Sequence, residues 1–330
     1  MADSSLPIVE HHTVVTTFGD LELLGCSPVQ ESNKSPILCL HGAFCSADDY
    51  SNFLPFFAAH GYPAYSLSLR GHGKSWTPSW LAMTLLTTLE HYVADITAAA
   101  NFIAKRHPET PHSILVGHSF GGGHMQYLLA HHSQENSSSL RFKGLVLLAS
   151  APLSGGGKEI MSNWEMIEAG PDGYKYPWSP RSQLETAEQV RAAFFQPNTS
   201  EEAVNKWLVD CRTTKEGIRT GISVFWPFGE AGDVLKSLDG LSGDSATPRK
   251  ILLIVGLEDR LVKPAMVEAN ADAYRAAVVD AGEPEQSLDA RQMVMNITIK
   301  NSAHHLMMNT SWETCASRII DWIEGRGLDI

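Results

Sequence analysis

Acyl transfer needs a nucleophilic hydroxyl, a base to take its proton and an acid to orient the base. All three occur in this chain at places where the backbone must turn. Gly117-His118-Ser119-Phe120-Gly121 follows the apolar run Ser113-Ile114-Leu115-Val116 and precedes Gly122-Gly123 and a helical stretch. A serine on a sharp strand-to-helix turn lifts its hydroxyl over the sheet, and the residues two away on either side must be small. The bland alternative is a glycine-rich packing turn with an inert serine.

A nucleophilic serine also needs donors for the oxyanion it creates. The helix that starts after Ser119 offers the Phe120 N–H without any side chain. A second donor should come from another strand end, and the apolar run 37–40 leads into His41-Gly42-Ala43-Phe44, where Gly42 permits a sharp turn. The Ala43 N–H is the first choice and Phe44 the alternative. His41 itself reads as a structural turn residue.

The base must be chosen among 14 histidines. Seven of them, His11, His12, His60, His107, His112, His131 and His132, fall near predicted termini or element ends, where a solvated side chain suffices. His118 flanks the nucleophile but leans away from it in such a turn. His304 and His305 follow a late strand; His304 is the expected base and His305 a support for the loop. For the acid, the apolar run 251–255 ends in Gly256-Leu257-Glu258-Asp259, with Pro264 beyond it. Asp259 is favoured over Glu258. The other strand end that could supply an acid reads Ser150-Ala151-Pro152 and holds no carboxylate.

The elements that must position these groups follow from apolar runs alternating with helical periodicity. Strands are expected at 14–18, 21–26, 37–40, 64–69, 114–116, 145–149, 251–255 and 294–299. The fully apolar runs 37–40, 145–149 and 251–255 predict strands covered on both faces, as in a parallel sheet. Helices are expected from a capping box at Ser46 and Asp49 to about residue 60, and from a second box at Thr87 and Glu90. Others are expected at 122–132, 264–281 and 312–325, the last capped by Thr310. Strand–helix alternation implies an α/β class, a doubly wound, mostly parallel eight-stranded sheet with its site at the carboxyl ends of the strands. The rhythm breaks between residues 153 and 247, a segment with ten aromatic residues and no strand signal. We read residues 1–152 and 248–330 as a core domain and 153–247 as an inserted helical lid, with helical stretches at 185–195 and 200–209.

Composition bounds the function. With 25 Lys+Arg against 37 Asp+Glu, the net charge of −12 excludes nucleic acid and anionic membrane surfaces as expected partners. The uncharged stretch 110–134 holds five histidines and four glycines, so it reads as strand, turn and helix rather than a membrane span. The start of the chain lacks the apolar core of a secretory signal. Five scattered cysteines without a C-x-x-C pair argue against a disulfide framework or a cysteine zinc site, and fit a reducing, cytoplasmic compartment. Cys45, beside the oxyanion turn, reads as a small buried apolar residue.

Taken in the order Ser119, Asp259, His304, the chain resembles the α/β-hydrolase fold superfamily over about residues 36–325. The resemblance rests on His41-Gly42, the serine turn, Gly256-x-x-Asp259-x-x-x-x-Pro264 and Ala303-His304. It includes Leu69-Arg70-Gly71-His72-Gly73-Lys74-Ser75, similar to the Arg-Gly-x-Gly-x-Ser segment of that superfamily. Two departures stand out. Ser68 replaces the usual aspartate two residues before the arginine, and Asn301-Ser302-Ala303 replaces the common glycine-bearing approach to the histidine. The resemblance implies hydrolysis of an ester, lactone or thioester through an acyl-enzyme, with no metal or diffusible cofactor. Ser119 argues against the epoxide hydrolases and haloalkane dehalogenases, which place an aspartate at the turn.

The expected substrate is a small or medium apolar ester or lactone. Phe44, Trp164, Trp178, Phe225, Trp226 and His305 are candidate pocket residues, and most aromatics of 153–247 should pack within the insertion itself. A homodimer is compatible with the sequence. Two other readings keep the same three residues: lyase, cyclase or C–C bond chemistry in specialised metabolism, and a hydrolase-like small-molecule receptor.

Overall fold

Eight strands form one sheet in the order β1-β2-β4-β3-β5-β6-β7-β8. They are β1 (Val9–Val15), β2 (Asp20–Cys26), β3 (Ile37–Leu40), β4 (Ala64–Leu67), β5 (Ile114–His118), β6 (Gly144–Leu148), β7 (Ile251–Gly256) and β8 (Val294–Ile299). Pairings that involve β2 are antiparallel and those from β4 to β8 are parallel. The structure, a computed structural model, describes residues 7–131, 140–167, 184–214, 216–242, 247–280 and 287–327.

Every residue of β3, β5, β6 and β7 is buried, as their unbroken apolar runs require. Alternate side chains feed two cores. Leu38, Leu115, Leu147 and Leu253 face helices α2 (Leu89–Arg106), α3 (Phe120–His131) and α9 (Pro264–Asp280). Cys39, Val116, Leu148 and Ile254 face α1 (Phe53–Ala59) and α11 (Trp312–Glu324) on the other side. This period of two is what makes a sheet a two-sided platform.

Between β6 and β7 lie α4 (Gly157–Glu165), α5 (Ala187–Phe194), α6 (Glu201–Thr213), α7 (Ile218–Ser223) and α8 (Ala231–Lys236), and α10 (Ser287–Met293) precedes β8. A separate apolar cluster joins Trp164, Phe194, Phe195 and Trp207 to Cys45 and Leu261 of the sheet-based region. Phe228 and Val234, near the end of the same segment, instead join the core of α2, α3 and α9.

Several local expectations shift. The first strand runs earlier than 14–18 because Thr16 Oγ1 accepts the Phe18 and Gly19 N–H groups, both at 3.2 Å, and turns the chain there. The Ser46 and Asp49 box is present, but it opens a single 3₁₀ turn before α1. The second box is one residue later, at Thr88 and His91, because the Thr87 hydroxyl donates to the Ala82 carbonyl of the preceding turn. Ser311, not Thr310, is the N-cap of α11; Thr310 donates instead to Gln196 at 3.0 Å. Within the uncharged stretch, residues 114–131 fold as β5, a one-residue turn and α3. Among the described residues no helix is long and apolar enough to cross a membrane.

The Arg70 loop is anchored beneath the site. Arg70 Nε and Nη2 donate to Asp95 of α2 at 2.9 and 2.6 Å, a two-pronged buried pair. The aspartate absent at Ser68 is replaced across the sheet. The Glu22 carboxylate accepts the Ser68 hydroxyl and the Lys74 N–H, both at 2.9 Å, while Ser68 Oγ accepts the Ala47 N–H.

Candidate active site

Ser119 is the single residue between β5 and α3, and its φ of 50° lies in the left-handed region. A non-glycine residue held there costs on the order of 1–3 kcal/mol, so its surroundings must enforce it. They do so through the backbone. The Ser119 N–H donates to the Leu148 carbonyl at 2.9 Å, and its carbonyl accepts the Ala151 N–H at 3.0 Å. The small neighbours are required by close approach. A Cβ on Gly117 would stand 2.7 Å from Gly122 Cα, and one on Gly121 would collide with the His41 carbonyl.

His304 arrives from the loop after β8. Its Nε2 is 3.0 Å from Ser119 Oγ and its Nδ1 is 2.8 Å from Asp259 Oδ2. Asp259 follows β7, and its other oxygen accepts the N–H groups of Leu261 and Val262 at 2.8 and 2.9 Å. The carboxylate therefore has one direction left, toward the imidazole. Glu258, the alternative acid, faces away and accepts from Gln196 at 3.0 Å. Asn301 takes φ 53°, the conformation a glycine would supply on the approach to the histidine. Asparagine is among the residues that tolerate it best, so that departure leaves the loop geometry intact.

The turn after β3 passes directly over the serine. A Cβ on Gly42 would stand 3.0 Å from Ser119 Cβ and 2.9 Å from His118 Nδ1. His41 is a tie between loops: the Leu69 N–H donates to its Nε2 at 3.1 Å, and its Nδ1 faces the Gly42 carbonyl at 2.8 Å. Burial, with the nearby His72, lowers its pKa to about 4, so it is neutral at pH 7. Phe44 has φ 62°, and its N–H donates to Glu216 Oε1 at 2.8 Å.

Glu216 also receives His72 Nε2 at 2.9 Å, while His72 Nδ1 donates to the Arg70 carbonyl at 3.0 Å. Burial would raise the Glu216 pKa, but His72 and the Phe44 amide outweigh it and hold it at about 2. Burial would lower the His72 pKa, but Glu216 and the Arg70 carbonyl raise it above its ordinary value. This carboxylate, from the segment between α6 and α7, has no sequence signature. Glu216 sits in a stretch without strand or helix periodicity, and only the fold brings it to the turn after β3.

The pocket candidates separate. Phe44 is partly exposed beside the serine turn. Trp164 packs edge-on to Phe194, whose ring centroid is 5.5 Å from that of His304. Phe225 and Trp226 stand at the surface, 44% and 60% exposed. Trp178 lies outside the described residues. His305 has no exposed surface and is boxed by His118, Phe194, Phe195 and Trp207, behind His304 rather than on an open wall. Phe194 belongs to the aromatic set of 153–247 that suggests an apolar pocket, and its run with Phe195 reads equally well as packing; it is the member whose ring lies against His304. All five cysteines are free and buried, and Cys45 lies with His118 and His305 in one cluster.

Comparison with known proteins agrees with this architecture. A sequence model of the alpha/beta hydrolase family matches residues 37–318. Over 95 residues the chain is 34% identical to a non-heme chloroperoxidase of Streptomyces lividans, covering 29% of this chain and 31% of that protein. Over 99 residues it is 34% identical to a pyrethroid hydrolase of Sphingobium wenxiniae, covering 29% and 31%. These matches thus span about a third of the length of the curated relatives. Among solved structures, a thermophilic esterase from Thermogutta terrifontis superposes with a TM-score of 0.59 at 16% identity, covering 96% of this chain and 98% of that one. The carboxylesterase CesB of Bacillus subtilis gives 0.58 at 16% identity, covering 97% and 93%.

Proposed function

The chain belongs to the alpha/beta hydrolase family, and from that premise we propose that it is a serine hydrolase cleaving a small-to-medium apolar ester or lactone, or a thioester, through an acyl-enzyme on Ser119. The observation that carries this reading is the unbroken line of contacts Asp259–His304–Ser119, at 2.8 and 3.0 Å. Ser119 Oγ attacks the carbonyl carbon as its proton passes to His304 Nε2, and the carbonyl π pair moves onto oxygen. Collapse expels the alcohol, which leaves with the proton from His304. Water then gives a proton to His304 and attacks the acyl carbon, and Ser119 departs with its proton restored.

The amides of Ala43 and Phe120 hold the oxyanion. Glu216 supports that assignment by engaging the Phe44 N–H, which removes the alternative donor of that turn. Such a donor contributes about 2.7–4 kcal/mol to the transition state. The helical insertion serves as a lid, and Phe44 with the Phe194 and Trp164 rings favours an apolar acyl or ring group. Relatives named as hydrolases and esterases support ester chemistry. Five free cysteines are in keeping with a reducing, cytoplasmic compartment.

A fluorophosphonate probe tests the reading. The wild-type chain should label and Ser119→Ala should not; folded wild-type protein that fails to label would overturn the acyl-enzyme. Turnover of p-nitrophenyl esters against lactones then separates the substrate classes. Labelling without turnover of either would favour lyase, cyclase or C–C bond chemistry.

A further inference from the structure

Behind the Ser119–His304 contact lies a second cluster that the acyl transfer does not use. Cys45, His118 and His305 each bring a donor atom within 4.8 Å of the others, and all three are buried. They come from three remote segments: the turn after β3, the end of β5 and the loop after β8.

The hydrogen bonds around the two imidazoles decide which atoms remain available. His118 Nε2 is 3.1 Å from the His304 carbonyl, so it must carry the proton and donate. His305 Nε2 is 3.3 Å from Asp49 Oδ1 and donates to that carboxylate. In neutral imidazoles the lone pairs then sit on the two Nδ1 atoms, and neither finds a hydrogen-bond partner among the described residues. A nitrogen lone pair whose opposite N–H is fixed by a carbonyl or carboxylate is the arrangement of a metal-binding histidine.

The Cys45 thiol is itself hydrogen-bonded to the Asp49 side chain and meets neither buried lone pair, whereas a cation between them satisfies both and the sulfur as well. We propose that Cys45 Sγ, His118 Nδ1 and His305 Nδ1 form a binding site for one soft cation, Zn2+ or Cu+. Two imidazoles and a thiolate suit these ions and not Mg2+ or Ca2+, which prefer oxygen. On binding, the Cys45 S–H bond breaks, its electron pair forms the sulfur–metal bond and the proton leaves to solvent. A cavity of about 180 Å³ whose lining includes Cys45, Asp48, Asp49, Asp210 and Lys74 offers a route in, and its three carboxylates against one lysine favour a cation.

The site would act as a clamp. Cys45 follows the oxyanion turn, His118 precedes Ser119 and His305 follows His304, so one ion would pin the three pieces that acyl transfer needs in register.

The test uses the whole chain, stripped with a chelator and titrated with Zn2+ against a chromogenic competitor, and with Cu+ in the absence of air. One equivalent of either ion should bind. Cys45→Ala should abolish binding, while Cys26→Ala, at a buried cysteine of β2 outside the cluster, should retain it. Asp49→Asn should weaken it by about 10–100-fold, through the orientation of His305. Binding of neither ion, or equal binding by Cys45→Ala, would overturn the site. If Cys45→Ala does not fold, Co2+ added to the wild-type chain decides: a thiolate-to-cobalt absorption band supports Cys45 ligation, and its absence refutes it. Ion uptake is read without substrate, so its outcome is independent of whether Ser119 forms an acyl-enzyme.

Discussion

His304 and His305 are neighbours in sequence and each rests on a buried carboxylate, yet the two rings present opposite nitrogens to opposite partners. Asp259 engages Nδ1 of His304 and leaves Nε2 to the Ser119 hydroxyl. Asp49 engages Nε2 of His305 and leaves Nδ1 toward the enclosed Cys45 and His118. Which nitrogen the acid holds decides which one is free to act. What it meets decides the chemistry: a partly exposed hydroxyl that a substrate can reach, or a buried sulfur that only an ion can. On the proposed function and the proposed ion site, the same pair of residue types would serve as a base on one side and as a ligand on the other.

Exchanging each acid for its amide breaks the comparison most sharply. Asp259→Asn keeps the shape but presents an amide group to His304, which favours the wrong tautomer at Nε2; kcat should fall by about 10⁴-fold with the chain still folded. Asp49→Asn should act on ion affinity instead, by about 10–100-fold. Steady-state kinetics beside ion titration on both variants checks this. A large kcat loss for Asp49→Asn, or none for Asp259→Asn, would show that the two pairs are not separate.

Gly42 joins the two sides, since a Cβ there would press on Ser119 Cβ and on His118 Nδ1 together. Gly42→Ala should therefore lower kcat by about 100-fold, the usual cost of displacing a reacting group by roughly 1 Å. It should also weaken ion binding. Loss of one property without the other would mean that the turn shifts toward only one of its neighbours.

How much of this was legible in the residues differs between the two sides. Ser119 lies between glycines whose smallness the turn itself requires, and Asp259 closes an apolar run, so local sequence already marked them. His304 needed only its place after the last strand. The partners of His305 carry no such mark. Asp49 reads as half of a capping box, which it is, and its second oxygen reaches His305 only after the sheet has formed. Cys45 read as a small apolar residue because spacing rules detect ligands close in sequence, and this cluster joins positions 45, 118 and 305. The sheet was legible because both-face burial writes unbroken apolar runs; β1 was misplaced by several residues because it lies at the edge, where Thr16 sets the turn.

A third carboxylate–histidine pair gives the smallest effect and the finest test. Glu216 and His72 resemble the other two pairs, but both His72 nitrogens donate, one to the Arg70 carbonyl and one to Glu216. A ring donating from both nitrogens is a cation and can be neither base nor ligand. It ties the insertion to the turn after β3 through the Phe44 N–H. The direction of its pH dependence follows from the two shifts. The Glu216 pKa is held down at about 2, so its contribution is present above the ordinary 4.5 and is lost as pH falls toward 2. The His72 pKa is raised, so its contribution is complete below the ordinary 6.5 and is lost as pH rises through the folded value. Wild type should therefore exceed Glu216→Gln in stability most between pH 4.5 and 6.5, by about 2 kcal/mol, the scale of a charged hydrogen bond. Denaturant midpoints across pH measure that difference, and an NMR titration should place the His72 pKa lower in the variant. A stability difference independent of pH would mean that Glu216 holds the turn by shape alone, and that His72 is not held as a cation.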